Sequence, residues 1–391
     1  MTFSSDSPSL GLPALVPTAH AVLQQAIGNQ AFPGAAYGVW LRGRVHTTAA
    51  VGRFTYASDS SSVLPETVFD IASISKVVAT TAMSMLLWEQ GKLDLDEPII
   101  RWLPVFANAA HGTAASERQS VTIRMLLAHS SGLPAYARLF ETCATREAVL
   151  EACLRMPLEA APGTRAVYSD IGFILLGSLL ERVASKNHAT GETLDILDTF
   201  CQREIFSPLG MASTIYRPPA AWRPAIPPTQ IDDALRHRIL QGEVHDENCW
   251  RMGGVSGHAG VFSNVFDLLR FAACMLQDGA SGLLNTAPLF QPATIRLFTT
   301  RNTAVPNSSR ALGWDTPSQP SSSGKYFSAH SAGHLGYTGT SLWLDFEKQL
   351  AVVLLTNRTY PGNGPGGSSK AIQQVRPNFH NALLEDLGLA R

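Results

Sequence analysis

A serine hydroxyl is a weak nucleophile until a neighbouring base takes its proton. Ser73-Ile74-Ser75-Lys76 sets a serine and a lysine three positions apart, where a short strand-like run, 68–71, gives way to helical periodicity. Residues i and i+3 share a helix face, so Ser73 Oγ and Lys76 Nζ can meet. The N–H groups and positive end of a helix start would also suit an oxyanion forming beside Ser73. Lys76 is followed by Val77, Val78 and Ala79, and the chain has only six lysines. An apolar wall strips solvent from an ammonium and lowers its pKa, which would make Lys76 a base. The competing reading is a capping serine beside a solvated first-turn lysine, and spacing alone does not separate the two.

Two further segments could complete such a site. Tyr168-Ser169-Asp170 follows the turn Pro162-Gly163-Thr164 and precedes a helical run, 171–183. Tyr168 could share the proton with Lys76, its own pKa lowered by that cation. Alternatively it packs at a helix start that Asp170 caps. Gly333-His334-Leu335-Gly336-Tyr337-Thr338-Gly339-Thr340 leads into a strand, 341–344. Glycines there would let a substrate approach the backbone. The N–H of Tyr337 would be a second oxyanion donor beside that of Ser73. The plainer reading is a glycine-rich turn with a chance histidine.

Taken in order, at spacings of about 95 and about 165 residues, these elements look like Ser-x-x-Lys, Tyr-x-Asn and Lys-Thr-Gly. In that order the chain resembles the class C β-lactamase group, with its penicillin-binding peptidases and family VIII carboxylesterases. Leu126-Leu127-Ala128-His129-Ser130-Ser131-Gly132-Leu133-Pro134, Pro208-Leu209-Gly210-Met211 and the glycine-rich stretch 253–263 before Asp267 and Phe271 resemble other elements of that group. The likeness runs over about residues 20–385. It implies an α+β, β-lactamase/transpeptidase-like fold and an acyl-enzyme hydrolase with Ser73, Lys76 and Tyr168 as catalytic residues. The oxyanion would be held by the N–H groups of Ser73 and Tyr337, and Asp170, His334, Gly336 and His245 would touch substrate. No cofactor or metal is implied. Two positions depart from the pattern: Asp170 stands for the usual Asn and His334 for the usual Lys. A histidine is only partly charged near neutral pH, which weakens the case for a β-lactam or a peptide carboxylate. Small carboxylic esters are therefore the first expectation. A D-alanyl-D-alanine-type peptidase or amidase, or a β-lactamase, is the alternative.

The elements that must position these residues can be read more coarsely. Runs 35–41 and 44–51, split by Arg42-Gly43, predict a β-hairpin behind a helix at 18–27. Near the other end, strands 341–344 and 350–356 flank the turn Phe346-Glu347-Lys348, and a helix runs over 372–387. Strands at both ends suggest one antiparallel sheet flanked by helices, formed by 1–95 and 286–391, with a mainly helical lobe, 96–285, inserted. The site would lie at the seam. A rival α/β-hydrolase elbow would be Gly254-Val255-Ser256-Gly257-His258, which lacks the last glycine of Gly-x-Ser-x-Gly. A metal set of His245, Asp246 and His258 matches no common zinc spacing, and His129 reads as a turn-stabilising residue.

Bulk properties exclude some partners. The net charge is -1 with no run of Lys or Arg, which argues against nucleic acid and acidic membrane surfaces. The apolar-rich stretch 173–180, interrupted by Ser178, falls far short of the roughly 20 residues that span a bilayer. The five cysteines form no CxxC pair and read as reduced thiols. A loose arm, 1–15, has no basic residue and is broken by Pro8 and Pro13, unlike a secretory leader. The chain thus reads as a cytoplasmic protein acting on a small ester, amide or lactam.

Overall fold

Alternation within two adjacent strands explains the main sheet. In Gly34–Leu41, Ala35, Tyr37 and Val39 pack to one side while Ala36 and Trp40 pack to the other, the period of two that a strand buried on both faces requires. Arg42 (φ 48°) and Gly43 (φ 93°) adopt the left-handed conformations of a tight hairpin turn. The chain returns as Arg44–Gly52. Leu350–Thr356 pairs antiparallel with the other side of Gly34–Leu41 and is buried throughout, so it reads as an unbroken apolar run. Ser341–Asp345 and then Ser331–Leu335 complete a five-stranded antiparallel sheet.

The computed structural model describes residues 15–108, 114–185, 196–277, 279, 288–362 and 369–391. All but the last residue of the arm 1–15, and the boundary expected at 285–286, lie outside these residues. Helices Pro17–Gly28 and Ser369–Asp386 cover one face of the sheet. Helix Val265–Leu276, capped by Asn264, covers the other. A Cβ at Gly38 would collide with Val265 and Leu269, so that helix can sit close only because residue 38 has no side chain. By sequence position this helix falls in the inserted segment, yet it packs on the sheet.

The remaining segment is built around helix Asp170–Ser185, almost wholly buried and tied to Arg146 of helix Arg146–Arg155 by the Arg146–Glu181 ion pair at 2.6 Å. Short strands Phe69–Asp70, Val261–Ser263 and Ile215–Tyr216 form a second small sheet, and Gln230–Asp232 pairs with Arg238–Leu240. The helical periodicity that begins at Ser73 is realised in three windings. A 3₁₀ turn, Ala72–Ile74, is followed by a π-wound Lys76–Thr81 and then by α-helix Ala82–Glu89. The widened turn is where Thr80 Oγ1 and Lys76 Nζ donate to the carbonyls of Gly257 and His258. Such turns recur at functional sites. Among the described residues no helix is long and apolar enough to cross a membrane.

Candidate active site

Ser73 lies one residue after a strained turn. Ala72 has φ 48°, which a residue with a Cβ adopts only when its surroundings force it. The force comes from Asp70, whose buried carboxylate accepts from Ala72 N–H at 2.8 Å and from His245 N–H at 2.7 Å. Burial pushes the Asp70 carboxyl up to about 6, against those two hydrogen bonds. Asp70 thus joins the approach to Ser73 to the segment that carries His245 and Asp246.

Three oxygens surround the buried Lys76 Nζ: Ser73 Oγ at 2.9 Å, the His258 carbonyl at 2.9 Å and Asp170 Oδ1 at 2.7 Å. The apolar neighbours of Lys76 predict a lysine that loses its proton to burial. Burial does pull its pKa down, but Asp170 and Tyr168 outweigh burial and hold it above the ordinary lysine value. Lys76 therefore rests as an ammonium. Tyr168 also departs from expectation. Burial raises its phenol pKa more than the Lys76 cation lowers it, so it stays neutral. Its ring packs beside Lys76, with Nζ 4.9 Å from the centroid, and its hydroxyl feels both Lys76 and Ser73. The Tyr168 ring is held by His129, at 4.6 Å between centroids. His129 accepts from Ser169 N–H at Nδ1 and from Val167 N–H at its carbonyl, fixing the turn that carries Tyr168.

The third segment is a strand end stitched to the first. After Ser331–Leu335 the chain turns through Gly336 to Thr340, and Thr338 and Thr340 donate to the carbonyls of Asp70 and Ile71. A Cβ at Gly336 would strike Thr340 and the Ile71 carbonyl, so glycine allows this contact. Tyr337 follows it, its ring stacked on His245 at 5.6 Å with Arg358 against it. His334 is buried beside Tyr168 and donates or accepts through Nδ1 at the Leu335 carbonyl. Burial, then Lys76 and Arg310, drive its pKa well below the ordinary value. The pH-dependent charge expected of His334 is thereby corrected: the imidazole is neutral throughout the neutral range. His245 is likewise lowered to about 4, chiefly by burial.

Ser73, Tyr168, Asp170, His245, His334, Gly336 and Tyr337 all line one cavity of about 760 Å³, a volume usual for small-molecule sites. Lys76 sits behind it. Asp70 and Arg310 also line it, and neither is among the residues that the sequence marks out. Arg310 lies 5.2 Å over the Tyr168 ring, with a loose 3.8 Å ion pair to Asp315. No motif marks Arg310; the signal that exists for Asp70 is only its place three residues before Ser73. Of the histidines and acid whose spacing matches no zinc pattern, His258 and Asp246 do meet, at 2.8 Å, but His258 bonds Ser256 Oγ through its other nitrogen. Among the described residues no group of three or more His, Cys, Asp or Glu is placed to hold a metal ion.

The β-lactamase family profile matches residues 19–375. The chain belongs to the β-lactamase family of serine hydrolases. The chain is 32% identical, over 84% of its length and 78% of the relative's, to the N-acetylmuramyl-L-alanine amidase of Bacillus subtilis (strain 168). Its fold is similar to that of EstCE1, a hydrolase with promiscuous acyltransferase activity (TM-score 0.71, 23% identity, covering 94% of this chain and 98% of that one). It is also similar to the β-lactamase/D-alanine carboxypeptidase of Pseudomonas syringae (TM-score 0.71, 18% identity, 95% and 99%). The α+β, β-lactamase/transpeptidase-like architecture is thus the fold of this β-lactamase-family chain.

Proposed function

We propose that this chain cleaves a small carboxylic ester through an acyl-enzyme on Ser73. The observation that carries the reading is the contact of Ser73 Oγ with Lys76 Nζ at 2.9 Å, with Tyr168 beside both, at the wall of an open cavity. Ser73 Oγ attacks the carbonyl carbon, the Ser73 and Tyr337 N–H groups hold the developing oxyanion, and water then releases the acid. Gly336 lets the acyl group approach that backbone, while Asp170, His334 and His245 flank it. The neutral His334 supports an uncharged ester, because no fixed cation stands at that position in the third segment.

A second reading, an amide, is favoured by Arg310 and by the amidase relative. A guanidinium on the cavity wall whose ion pair to Asp315 is a loose 3.8 Å suits a carboxylate on the substrate. The buried thiols of all five cysteines support a reducing, cytoplasmic setting, which cell fractionation would check. The deciding experiment is a panel of p-nitrophenyl esters, an N-acetylmuramyl-L-alanine amide, a D-Ala-D-Ala peptide and a chromogenic cephalosporin. It is paired with mass spectrometry of the covalent adduct. The ester reading expects the highest kcat/KM on short-chain esters and an acyl adduct on Ser73. A higher kcat/KM on the amide would replace it with the second reading, and an adduct elsewhere would remove both.

A further inference from the structure

At rest, neither partner usually asked to deprotonate such a serine is free to do so. Lys76 already carries its proton, held by a carboxylate at 2.7 Å and a main-chain carbonyl at 2.9 Å that can only accept. Tyr168 is a neutral phenol. The anion in direct contact with Nζ is Asp170, which stands at the start of helix Asp170–Ser185 and opens onto the cavity. We propose that Asp170, working through Lys76, is the final acceptor of the Ser73 proton. This rests on the acyl-enzyme reading above.

The step balances. As the Ser73 Oγ–carbon bond forms and the carbonyl π pair moves onto oxygen, the Ser73 proton passes to Nζ. One Nζ proton passes to Asp170 Oδ1. The site then holds an ammonium, a neutral carboxylic acid and the oxyanion, the same net charge as before. When the bond to the leaving group breaks, Nζ gives a proton to the departing heteroatom and Asp170 returns its own to Nζ. The lysine is a relay between two oxygens and never needs to rest as a free amine. Asp170 acts on the serine only through Lys76, so it is a positioning residue for the proton.

The other charged and titratable groups around Lys76 do not supply this acceptor. His129 and His334 are held neutral, their pKa values driven well below the ordinary range by burial and the nearby cations. Asp246 is held ionised despite its burial by His258 and by the Cys249 N–H, and its carboxylate is spent on those two partners. Arg310 is a cation. Asp70, pushed up to about 6, is occupied by the N–H groups of Ala72 and His245, so of these groups Asp170 is the one that meets Nζ, at 2.7 Å.

The test is the pH dependence of p-nitrophenyl acetate kcat/KM, by pH-stat, for the wild type, Asp170→Asn and Asp170→Ala. Each protein is also checked for a fluorophosphonate adduct on Ser73. With the carboxylate present, the active form is the ammonium–carboxylate pair, which is lost only when acid protonates it. Without the carboxylate, Lys76 must first give up its proton to become the base. The acid limb should then move to higher pH by a unit or more in both variants. Between pH 9 and pH 6 each variant should lose about tenfold or more of its own activity, whereas the wild type should lose much less over the same range. If Asp170 merely stabilises the ammonium, wild-type activity should climb into the alkaline range and the limb should move to lower pH on substitution. That direction, or an unmoved limb, overturns the proposal while the Ser73 adduct keeps the acyl-enzyme reading standing. Absence of a Ser73 adduct in wild type would remove both.

Discussion

The described residues include two serine–base–carboxylate arrays of nearly equal dimensions. In one, Ser73 meets Lys76 at 2.9 Å and Lys76 meets Asp170 at 2.7 Å. In the other, Ser256 meets His258 at 2.8 Å and His258 meets Asp246 at 2.8 Å. By distance and residue type alone, the Ser256 array is closer to a hydrolytic triad than the Ser73 array. Access separates them. Ser73 lines the open cavity, whereas Ser256 is 1% exposed and does not border it. The Ser256 array is a brace instead: Asp246 caps helix Glu247–Arg251 and holds His258, whose carbonyl receives Lys76. A set of residues able to activate a serine acts as catalyst or scaffold according to whether a substrate carbon can reach the oxygen.

Substitutions can break or sharpen this contrast. Ser73→Ala should show the largest effect, a loss of turnover of about a thousandfold or more with no fluorophosphonate adduct. A label on Ser256 would invert the assignment. Lys76→Ala should cost about a hundredfold or more, and Tyr168→Phe a comparable amount if its hydroxyl shares the proton path. Wild-type rates in both would refute that path. Asp246→Ala should lower turnover about tenfold and reduce Tm, because it removes a cap worth about 1 kcal/mol and frees His258. Unchanged kinetics would mean the brace does not reach Lys76.

The smaller effects concern charge. With His334 neutral, inhibition of the wild type by a carboxylate should be flat between pH 5.5 and 8.5 on its account, and His334→Lys should strengthen it at pH 8. An imidazole whose folded pKa is depressed destabilises the fold when the unfolded chain takes up its proton. Stability from His129, His245 and His334 is therefore present above the unfolded value of about 6.5 and is lost as pH falls below it. Tm measured from pH 7.5 to 5 should fall accordingly, and less steeply in His334→Gln. The least effect belongs to Ser256→Ala, expected to keep turnover within about threefold.

Much of this arrangement is legible in the sequence because it is local. Three-residue spacing sets Ser73 against Lys76, and Arg42-Gly43 marks the hairpin that starts the sheet. What the sequence hides depends on partners distant along the chain. Neighbours Val77, Val78 and Ala79 suggest a lysine stripped of its proton, but the sign is set by Asp170, which only the packed helix brings to 2.7 Å. Asp70 reads as an ordinary strand-end acid until His245, 175 positions away, donates to it. The edge strand Ser331–Leu335 looks like a turn because Gly333 interrupts it; the missing side chain makes room for Trp343 across the ladder. Nothing beside His334 in the chain announces that Lys76 and Arg310 stand next to it in the fold, so a titrating imidazole is what its sequence suggests.

The antiparallel ladder between Gly34–Leu41 and Leu350–Thr356 has a kinetic consequence. The hairpin leaves the ribosome with one long edge unpaired, and its partner strand follows about 300 residues later. At roughly 5–20 residues per second the wait is about 15–60 s. During that interval Ala36, Gly38 and Trp40 lack the strand that completes their sheet, a state prone to adventitious pairing. Ser73 can be translated and its helix formed early, but Tyr337 reaches it only when the chain is nearly finished. Nucleophilic competence should therefore appear late and abruptly in synthesis, and truncation before residue 350 should leave a chain that binds chaperones rather than a partly active enzyme.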